Sequence, residues 1–143
     1  MTIVVDSNIA VALFLILPYS KSAQDKYIAW VKHDENLIAP TLFEYEVASI
    51  LRRNVNAGIL TPPESLAQLD NILSTHIQIF SPTLSLHRSA LTWAARIGQA
   101  KTYDAHYLAL AAQENAEFWT ADKRLVNGVR QLGVDWIHWI GEA

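Results

Sequence analysis

The chain has 143 residues, a net charge of −3 and a hydrophobic fraction of 51%. This length is sufficient for one domain with a substantial core, and the charge gives none of the general basic character of a nucleic-acid-binding protein. The absence of cysteine excludes disulfides and thiolate metal sites. The apolar run over residues 9–17 lacks a basic n-region and is shorter than the ~20 residues that cross a bilayer. We therefore expect a soluble, cytoplasmic protein with no membrane association.

The first predicted element is a buried strand that ends at an acidic residue. Residues 2–5 are apolar and rich in β-branched side chains, and Asp6 follows directly. Ser7 and Asn8 offer capping oxygens for a helix over residues 9–17. Because ligands of open α/β sheets bind beyond the carboxyl ends of strands, Asp6 is a candidate site residue. An equally good explanation is that Asp6 only caps the helix.

Helical and alternating apolar patterns then follow one another along the chain. Thr41–Glu44 has the form of a capping box, Pro62 lies in the first turn of the next helix, and Thr102 is expected to cap a later one. Gly58 and Gly98 stand where helices should stop. The alternation predicts an α/β domain with a mostly parallel sheet. The predicted helices cover residues 9–17, 21–33, 42–56, 62–73, 83–97, 103–115 and 123–132, and the predicted strands cover 2–5, 37–39, 76–80, 117–120 and 134–138.

Acidic residues at four positions are candidates for a common site. Asp6 and Asp122 follow strands, so both belong at the carboxyl edge of a parallel sheet. Asp104 lies in the first turn of a helix, and Glu46 borders the apolar stripe of another. Each position also has an ordinary structural explanation: a helix dipole favours Asp104, Asp122 could cap a helix, and Glu46 could pair with Arg52–Arg53. Unpaired acids meeting at one edge would repel one another unless a cation lay between them.

Oxygen ligands without cysteine or paired histidines favour a hard ion, Mg²⁺ or Mn²⁺. Such an ion orients and deprotonates a water and neutralises charge during phosphodiester hydrolysis. Basic residues close in sequence to the acids could form a rim for the phosphates of a substrate, or could be solvated helix ends. His106 is expected at a surface or rim position. The basic residues in question are Arg52, Arg53, Lys101, Lys123 and Arg124.

Short segments spread over nearly the whole chain carry a resemblance to a known family. They are residues 4–8 (VVDSN), residues 39–40 (AP) with 46–53 (EVASILRR), residues 103–111 (YDAHYLALA) and residues 119–125 (WTADKRL). None of them is specific alone, but their order and spacing together are. In these segments the chain resembles PIN-domain proteins, and most closely VapC-type toxin ribonucleases.

The resemblance implies a fold and an activity. The fold is a PIN-like α/β/α sandwich with a mostly parallel central sheet, formed by a single PIN domain over residues 1–143. The activity is that of an endoribonuclease that requires Mg²⁺ or Mn²⁺. The family's acids fall on Asp6, Glu46, Asp104 and Asp122, which are thereby implied as both catalytic residues and metal ligands.

The resemblance also implies supporting residues and partners. Asn8 and Thr120 match positions that support the site through hydrogen bonds, and we expect them near the substrate. Family members cut RNA, commonly form homodimers and are inhibited by an antitoxin encoded beside them. The chain is therefore a candidate toxin of a type II toxin–antitoxin pair. The alternative that stays open is a catalytically silent PIN-fold interaction module, which would hold a partner without cutting RNA.

Other enzyme classes with an acid at a strand end fit less well. A haloacid-dehalogenase-type phosphatase needs a second aspartate two residues after the first, where Asn8 stands. A receiver domain needs an acid pair beside the first strand and a lysine after the last strand, and this chain has neither feature. The chain has neither a glycine-rich phosphate loop nor a Gly-x-Ser-x-Gly elbow.

Overall fold

A five-stranded, all-parallel sheet organises the chain, in the computed structural model that describes residues 1–142. The strand order is β3-β2-β1-β4-β5, so the first strand lies in the centre of the sheet. The strands are β1 (Thr2–Val5), β2 (Asn36–Pro40), β3 (Gln78–Phe80), β4 (Glu117–Thr120) and β5 (Ile137–Trp139). The helices are α1 (Ser7–Ala12), α2 (Ser20–Lys32), α3 (Leu42–Asn56), α4 (Pro62–Leu73), α5 (Leu84–Ile97), α6 (Tyr103–Gln113) and α7 (Lys123–Arg130), and a 3-10 turn follows at Ile140–Glu142.

The central strand β1 anchors a hydrophobic core on each face of the sheet. Successive side chains of a strand point to opposite faces. Val4 therefore packs into the larger core, to which α3, α5 and α6 contribute, while Ile3 and Val5 pack into the smaller core beneath α2. All three side chains are almost completely buried. Helices on both faces make this an α/β/α sandwich, which confirms the predicted fold class and the parallel sheet.

Several helix ends follow the local sequence signals. Thr61 and Glu64 form a reciprocal capping box at the start of α4, and the Thr83 side chain caps α5 by accepting from the backbone N–H of Leu86. Gly98 ends α5 in the left-handed region at φ 70°. A side chain with a Cβ is strained in that conformation, which explains why glycine stands there.

The capping box predicted at Thr41 is wrong. Thr41 has helical backbone angles and makes no cap hydrogen bond. Its hydroxyl instead donates to the carbonyl of Phe80 at 3.1 Å and so fastens the start of α3 to β3. The cap predicted at Thr102 is also not formed by its side chain.

The first helix differs from its prediction in both position and length. It begins at Ser7 and ends at Ala12, so Ser7 and Asn8 lie inside it and do not cap it. Further along, the Ser20 hydroxyl donates to the carbonyl of Leu15 at 2.7 Å and accepts from the N–H of Leu17 at 2.8 Å, which stabilises the turn before α2.

Both edge strands differ from their predicted ranges: β3 is shorter, and β5 is shorter and displaced toward the C-terminus. β3 starts at Gln78 instead of residue 76, and β5 covers Ile137–Trp139 instead of residues 134–138. An edge strand pairs on one side only, so its extent is set by its neighbour: β5 pairs with β4 through three residues. Trp136 lies just outside β5 and packs edge-to-face on Trp93 at 5.6 Å. Within residues 1–142, no helix is both long and apolar enough to cross a membrane.

Candidate active site

The Asp6 carboxylate lies at the carboxyl end of the central strand and is held there from two sides. Asp6 is only 9% exposed. The Thr120 hydroxyl, at the end of β4, donates to Asp6 Oδ2 at 2.7 Å. The Ser7 hydroxyl, in the first turn of α1, lies 3.3 Å from Asp6 Oδ1. The backbone N–H of Asp6 also bonds to the carbonyl of Trp119 at 3.1 Å, so the register of β1 against β4 fixes the carboxylate.

This environment disfavours the charged form of Asp6. Burial raises the pKa of Asp6 from 3.8 to about 7, and the negative charges of Glu46 and Asp104 act in the same direction, while the hydrogen bonds from Thr120 and Ser7 oppose them. A carboxyl group with this pKa binds a proton or a cation readily at neutral pH. The pocket is thus built around a charge that it does not itself neutralise.

Glu46 faces the same pocket from α3. The Tyr107 hydroxyl donates to Glu46 Oε1 at 2.6 Å, and the Ser7 hydroxyl lies 3.4 Å from the same oxygen. Burial raises the pKa of Glu46, and the charge of Asp104 adds to this, although Arg53 and the two hydroxyls lower it. Ser7 has one proton to donate and reaches both Asp6 and Glu46, so it joins the two carboxylates.

Asp104 and Asp122 occupy different positions relative to this pair. Asp104, in the first turn of α6, accepts a hydrogen bond from Gln99 Nε2 at 2.9 Å, and its charge reaches both Asp6 and Glu46. Asp122 caps α7 by accepting from the N–H of Leu125 at 3.1 Å, as its structural explanation predicts. Its backbone N–H donates to Thr120 Oγ1 at 3.1 Å. Asp122 therefore supports Asp6 indirectly, through Thr120.

The donor set at this edge suits a hard cation. Among residues 1–142, no three His, Cys, Asp or Glu side chains lie close enough together to form a ready-made metal site. The groups that approach Asp6 are carboxylate and hydroxyl oxygens, which Mg²⁺ and Mn²⁺ prefer. The ion pairs within residues 1–142 involve other acids, namely Glu35, Asp25, Glu142 and Glu117. The oxygen donors around Asp6 match such an ion, and Asp6, Glu46 and Asp104 are its candidate ligands, although their carboxylates are not gathered around one point in this structure.

A groove of about 570 Å³ opens beside Glu46. Asn8 lines it, as does Arg53, whereas Thr120 is fully buried behind Asp6 and lies outside the lining. Arg124 borders a separate depression of about 290 Å³ that contains Asp122. Of the predicted basic rim, Arg53 is thus the residue that reaches the groove beside Glu46.

Tyr107 and Ser7 complete the pocket, and sequence reasoning assigned neither of them this role. Tyr107 is 2% exposed, and its ring stacks on Phe118 at 5.4 Å. A usable signal is present in the sequence: the second tyrosine of this alanine- and leucine-rich helix stands three residues after Asp104 and so on the same helix face.

The fold and the pocket define a three-layer α/β protein with an acidic site at the carboxyl end of its central strand. Residues 3–129 match the PIN domain family, and the chain belongs to that family, as its sequence segments predict. The comparison with curated protein sequences gave no match.

Solved structures of bacterial toxin systems share this fold. VapBC2 from Rickettsia felis bound to a DNA fragment from their promoter matches with a TM-score of 0.69 and 14% identity, over 89% of this chain and 92% of that one. VapC20 from Mycobacterium tuberculosis, described as a sarcin–ricin loop cleaving toxin, has a TM-score of 0.62 and 19% identity, covering 80% and 85%. A toxin–antitoxin complex from Klebsiella pneumoniae has a TM-score of 0.64 and 14% identity, covering 96% of both chains. At these identities the likeness is one of fold.

Proposed function

We propose that this protein is a Mg²⁺- or Mn²⁺-dependent endoribonuclease that hydrolyses RNA phosphodiester bonds. The observation that carries the proposal is the buried Asp6 carboxylate, fixed by Thr120 and flanked by Glu46 and Asp104 at the edge of the sheet where α/β proteins place their chemistry. Membership of the PIN domain family supports nuclease chemistry. VapC20, which shares the fold, is described as a sarcin–ricin loop cleaving toxin.

The side chains of the pocket have distinct tasks in this proposal. Asp6, Glu46 and Asp104 would hold the cation, which when bound supplies a polarised water and neutralises charge on the scissile phosphate. Thr120 orients Asp6 before the cation arrives, because its hydroxyl already engages Oδ2. Tyr107 donates to Oε1 of Glu46, and Oε2 is engaged neither by Tyr107 nor by Ser7. A direct or water-mediated contribution from Asp122 stays a prediction.

The groove beside Glu46 supports a single-stranded RNA substrate. Tyr45 and Tyr103 line it and are 70% and 55% exposed. Exposed aromatic rings stack on unpaired bases without strong sequence preference. Arg53, in the same lining, supplies a positive charge for a phosphate. Asn8, in the same lining, would bond the substrate.

We further propose that the chain, as one PIN domain over residues 1–143, is the toxin of a type II toxin–antitoxin pair and forms a homodimer. The Klebsiella pneumoniae structure with the same fold is a toxin–antitoxin complex. Co-purification with the product of an adjacent reading frame tests the antitoxin, and light scattering of the purified protein tests the dimer. A monomeric mass would remove the homodimer from the proposal.

The activity is tested with an end-labelled single-stranded RNA in Mg²⁺ or Mn²⁺, with EDTA as the metal-free control. We expect cutting by the wild-type protein and by Asp70→Asn, which alters an exposed acid on α4, and no cutting by Asp6→Asn. Full activity of Asp6→Asn would remove Asp6 from the mechanism. Tight binding of a protein partner without cutting in either metal would instead establish the silent interaction module.

A further inference from the structure

Two histidines face each other across α5 and α6, outside the acidic pocket. Nδ1 of His87 and Nε2 of His106 lie 2.8 Å apart. The rings are 5.0 Å apart between centroids and meet at 78°. His87 is exposed and His106 is partly buried, so solvent reaches the pair.

The tautomer of His106 follows from its second contact. Nδ1 of His106 lies 2.7 Å from the carbonyl oxygen of Thr102, one turn earlier in the helix. A carbonyl oxygen only accepts hydrogen bonds, so Nδ1 carries the proton. In the neutral ring the lone pair is therefore on Nε2, which is the nitrogen directed at His87.

This is how proteins prepare a histidine for a metal ion. A ligating histidine typically donates its other N–H to a carbonyl or carboxylate, which fixes the ring and its tautomer. Without a metal, the 2.8 Å contact is a hydrogen bond that His87 Nδ1–H donates to His106 Nε2. When the proton of His87 moves to its own Nε2, Nδ1 has a lone pair available for an ion that His106 Nε2 also binds. Imidazole nitrogens suit Zn²⁺, Ni²⁺ and Cu²⁺ rather than Mg²⁺ or Mn²⁺. The pair thus has a different metal preference from the oxygen donors around Asp6.

We propose that His87 and His106 form a two-histidine site for Zn²⁺, Ni²⁺ or Cu²⁺ that links α5 to α6. With Zn–N bonds of about 2.0–2.1 Å in tetrahedral geometry, the two nitrogens must separate to roughly 3.3 Å. This is an opening of about half an ångström from the observed 2.8 Å, which rotation of the exposed His87 side chain supplies while His106 keeps its contact with Thr102.

Water completes the coordination of the ion. Within residues 1–142 no third His, Cys, Asp or Glu joins the pair as a potential ligand. The histidines border an open cavity of about 310 Å³, lined also by Tyr45 and Tyr103, which admits water to the remaining positions. With half the protein ligands of a structural zinc site, we expect a dissociation constant in roughly the micromolar range.

The first test is a zinc titration by calorimetry, performed in millimolar Mg²⁺ so that the acidic pocket is occupied by the competing hard ion. We expect one zinc site in the wild-type protein, weakened at least tenfold in His87→Ala and in His106→Ala. His76→Ala, which removes an exposed histidine remote in sequence from both, is the matched control and should bind as wild type. Unchanged zinc affinity in His87→Ala would overturn the proposal.

The second test identifies the ligand atoms directly. One equivalent of Cu²⁺ should give an electron paramagnetic resonance spectrum with hyperfine coupling to two imidazole nitrogens, and His87→Gln should lose this pattern while circular dichroism stays unchanged. The Asp6→Asn variant should keep it, because the site uses no group of the acidic pocket. A copper spectrum with oxygen ligands only would place the ion at the carboxylates and refute the two-histidine site, whether or not the protein cuts RNA.

Discussion

Replacing Asp6 by asparagine removes a buried charge while the shape of the side chain is kept. The asparagine oxygen can still accept the hydrogen bond from Thr120. In the absence of a cation, the charge of Asp6 opposes folding because burial and the neighbouring carboxylates disfavour it. We therefore expect Asp6→Asn to be more stable than the wild-type protein in EDTA at pH 8, although it should not cut RNA.

The magnitude follows from the two states of the carboxyl group. The folded protein keeps the Asp6 proton up to a pKa of about 7, whereas the unfolded chain loses it near 3.8. Between these values the unfolded state binds fewer protons, so the free energy of unfolding falls as the pH rises. Below pH 3.8 the penalty is absent, and above pH 7 it is complete. The full difference corresponds to about 4 kcal/mol.

Thermal unfolding followed by circular dichroism in EDTA measures the effect. At roughly 2–4 °C for each kcal/mol, the melting temperature of Asp6→Asn should exceed that of the wild type by on the order of 10 °C at pH 8. The gain should shrink markedly toward pH 4.5. Mg²⁺ should raise the melting temperature of the wild type and leave the variant unchanged. Asp70→Asn, on the surface of α4, is the control and should change stability by less than about 0.5 kcal/mol.

The reasoning fails if Asp6→Asn is less stable than the wild type at pH 8 in EDTA. It also fails if the gain is the same at pH 4.5 and pH 8, because the stabilisation would then come from something other than the removed charge. In either case the buried carboxylate would need no cation, and the main support for metal dependence would be lost.

Other substitutions test the remaining contacts of the pocket and the core. Tyr107→Phe removes the 2.6 Å hydrogen bond to Glu46, which at about 1.5–3 kcal/mol for a charged acceptor should slow RNA cleavage roughly tenfold or more in single-turnover assays. Thr120→Val removes a donor that lowers the pKa of Asp6, so the acidic limb of the pH–rate profile should move to higher pH; an unmoved limb would contradict this role. Phe118→Ala should lower the free energy of unfolding by about 3–5 kcal/mol in urea titrations, because Phe118 is 1% exposed and lies in the larger core.

Strand ends were the part of the fold best predicted from sequence. The runs before Asp6 and Asp122 are apolar and stop at polar residues, and the structure places β1 and β4 side by side and parallel. The rule that parallel strands share a carboxyl edge therefore placed Asp6 correctly with respect to β4. Edge strands were predicted less well, because their length depends on a single neighbour.

Two identical local signals had different outcomes, which shows where local reasoning stops. Thr41–Glu44 and Thr61–Glu64 both have the capping-box pattern. Thr61 follows a loop, has extended backbone angles and forms the box. Thr41 directly follows β2, is helical, and gives its hydroxyl to the carbonyl of Phe80. The competing partner is 39 residues away, and a pattern over four residues contains no information about it.

The candidate acids and Thr120 were named from the sequence, whereas the roles of the Ser7 and Tyr107 hydroxyl groups were not. Asp6, Glu46 and Asp104 could be found from strand ends and helix faces. The Tyr107–Glu46 contact spans 61 residues, and it depends on how α6 and α3 are rotated against the sheet. That rotation is decided by packing of the whole core, so the residue pattern of either helix alone does not reveal the contact.

The distance along the chain between Asp6 and its partner Thr120 bears on when the candidate site can form during synthesis of the protein. The hydrogen bond from Thr120 joins residues 114 positions apart, because β1 is translated first and its neighbour β4 near the end. A ribosome-bound chain lacking β4 leaves Asp6 in water with an ordinary acidity, and long-range pairing of this kind forms late. Translation products that terminate before residue 120 should therefore lack the assembled site around Asp6.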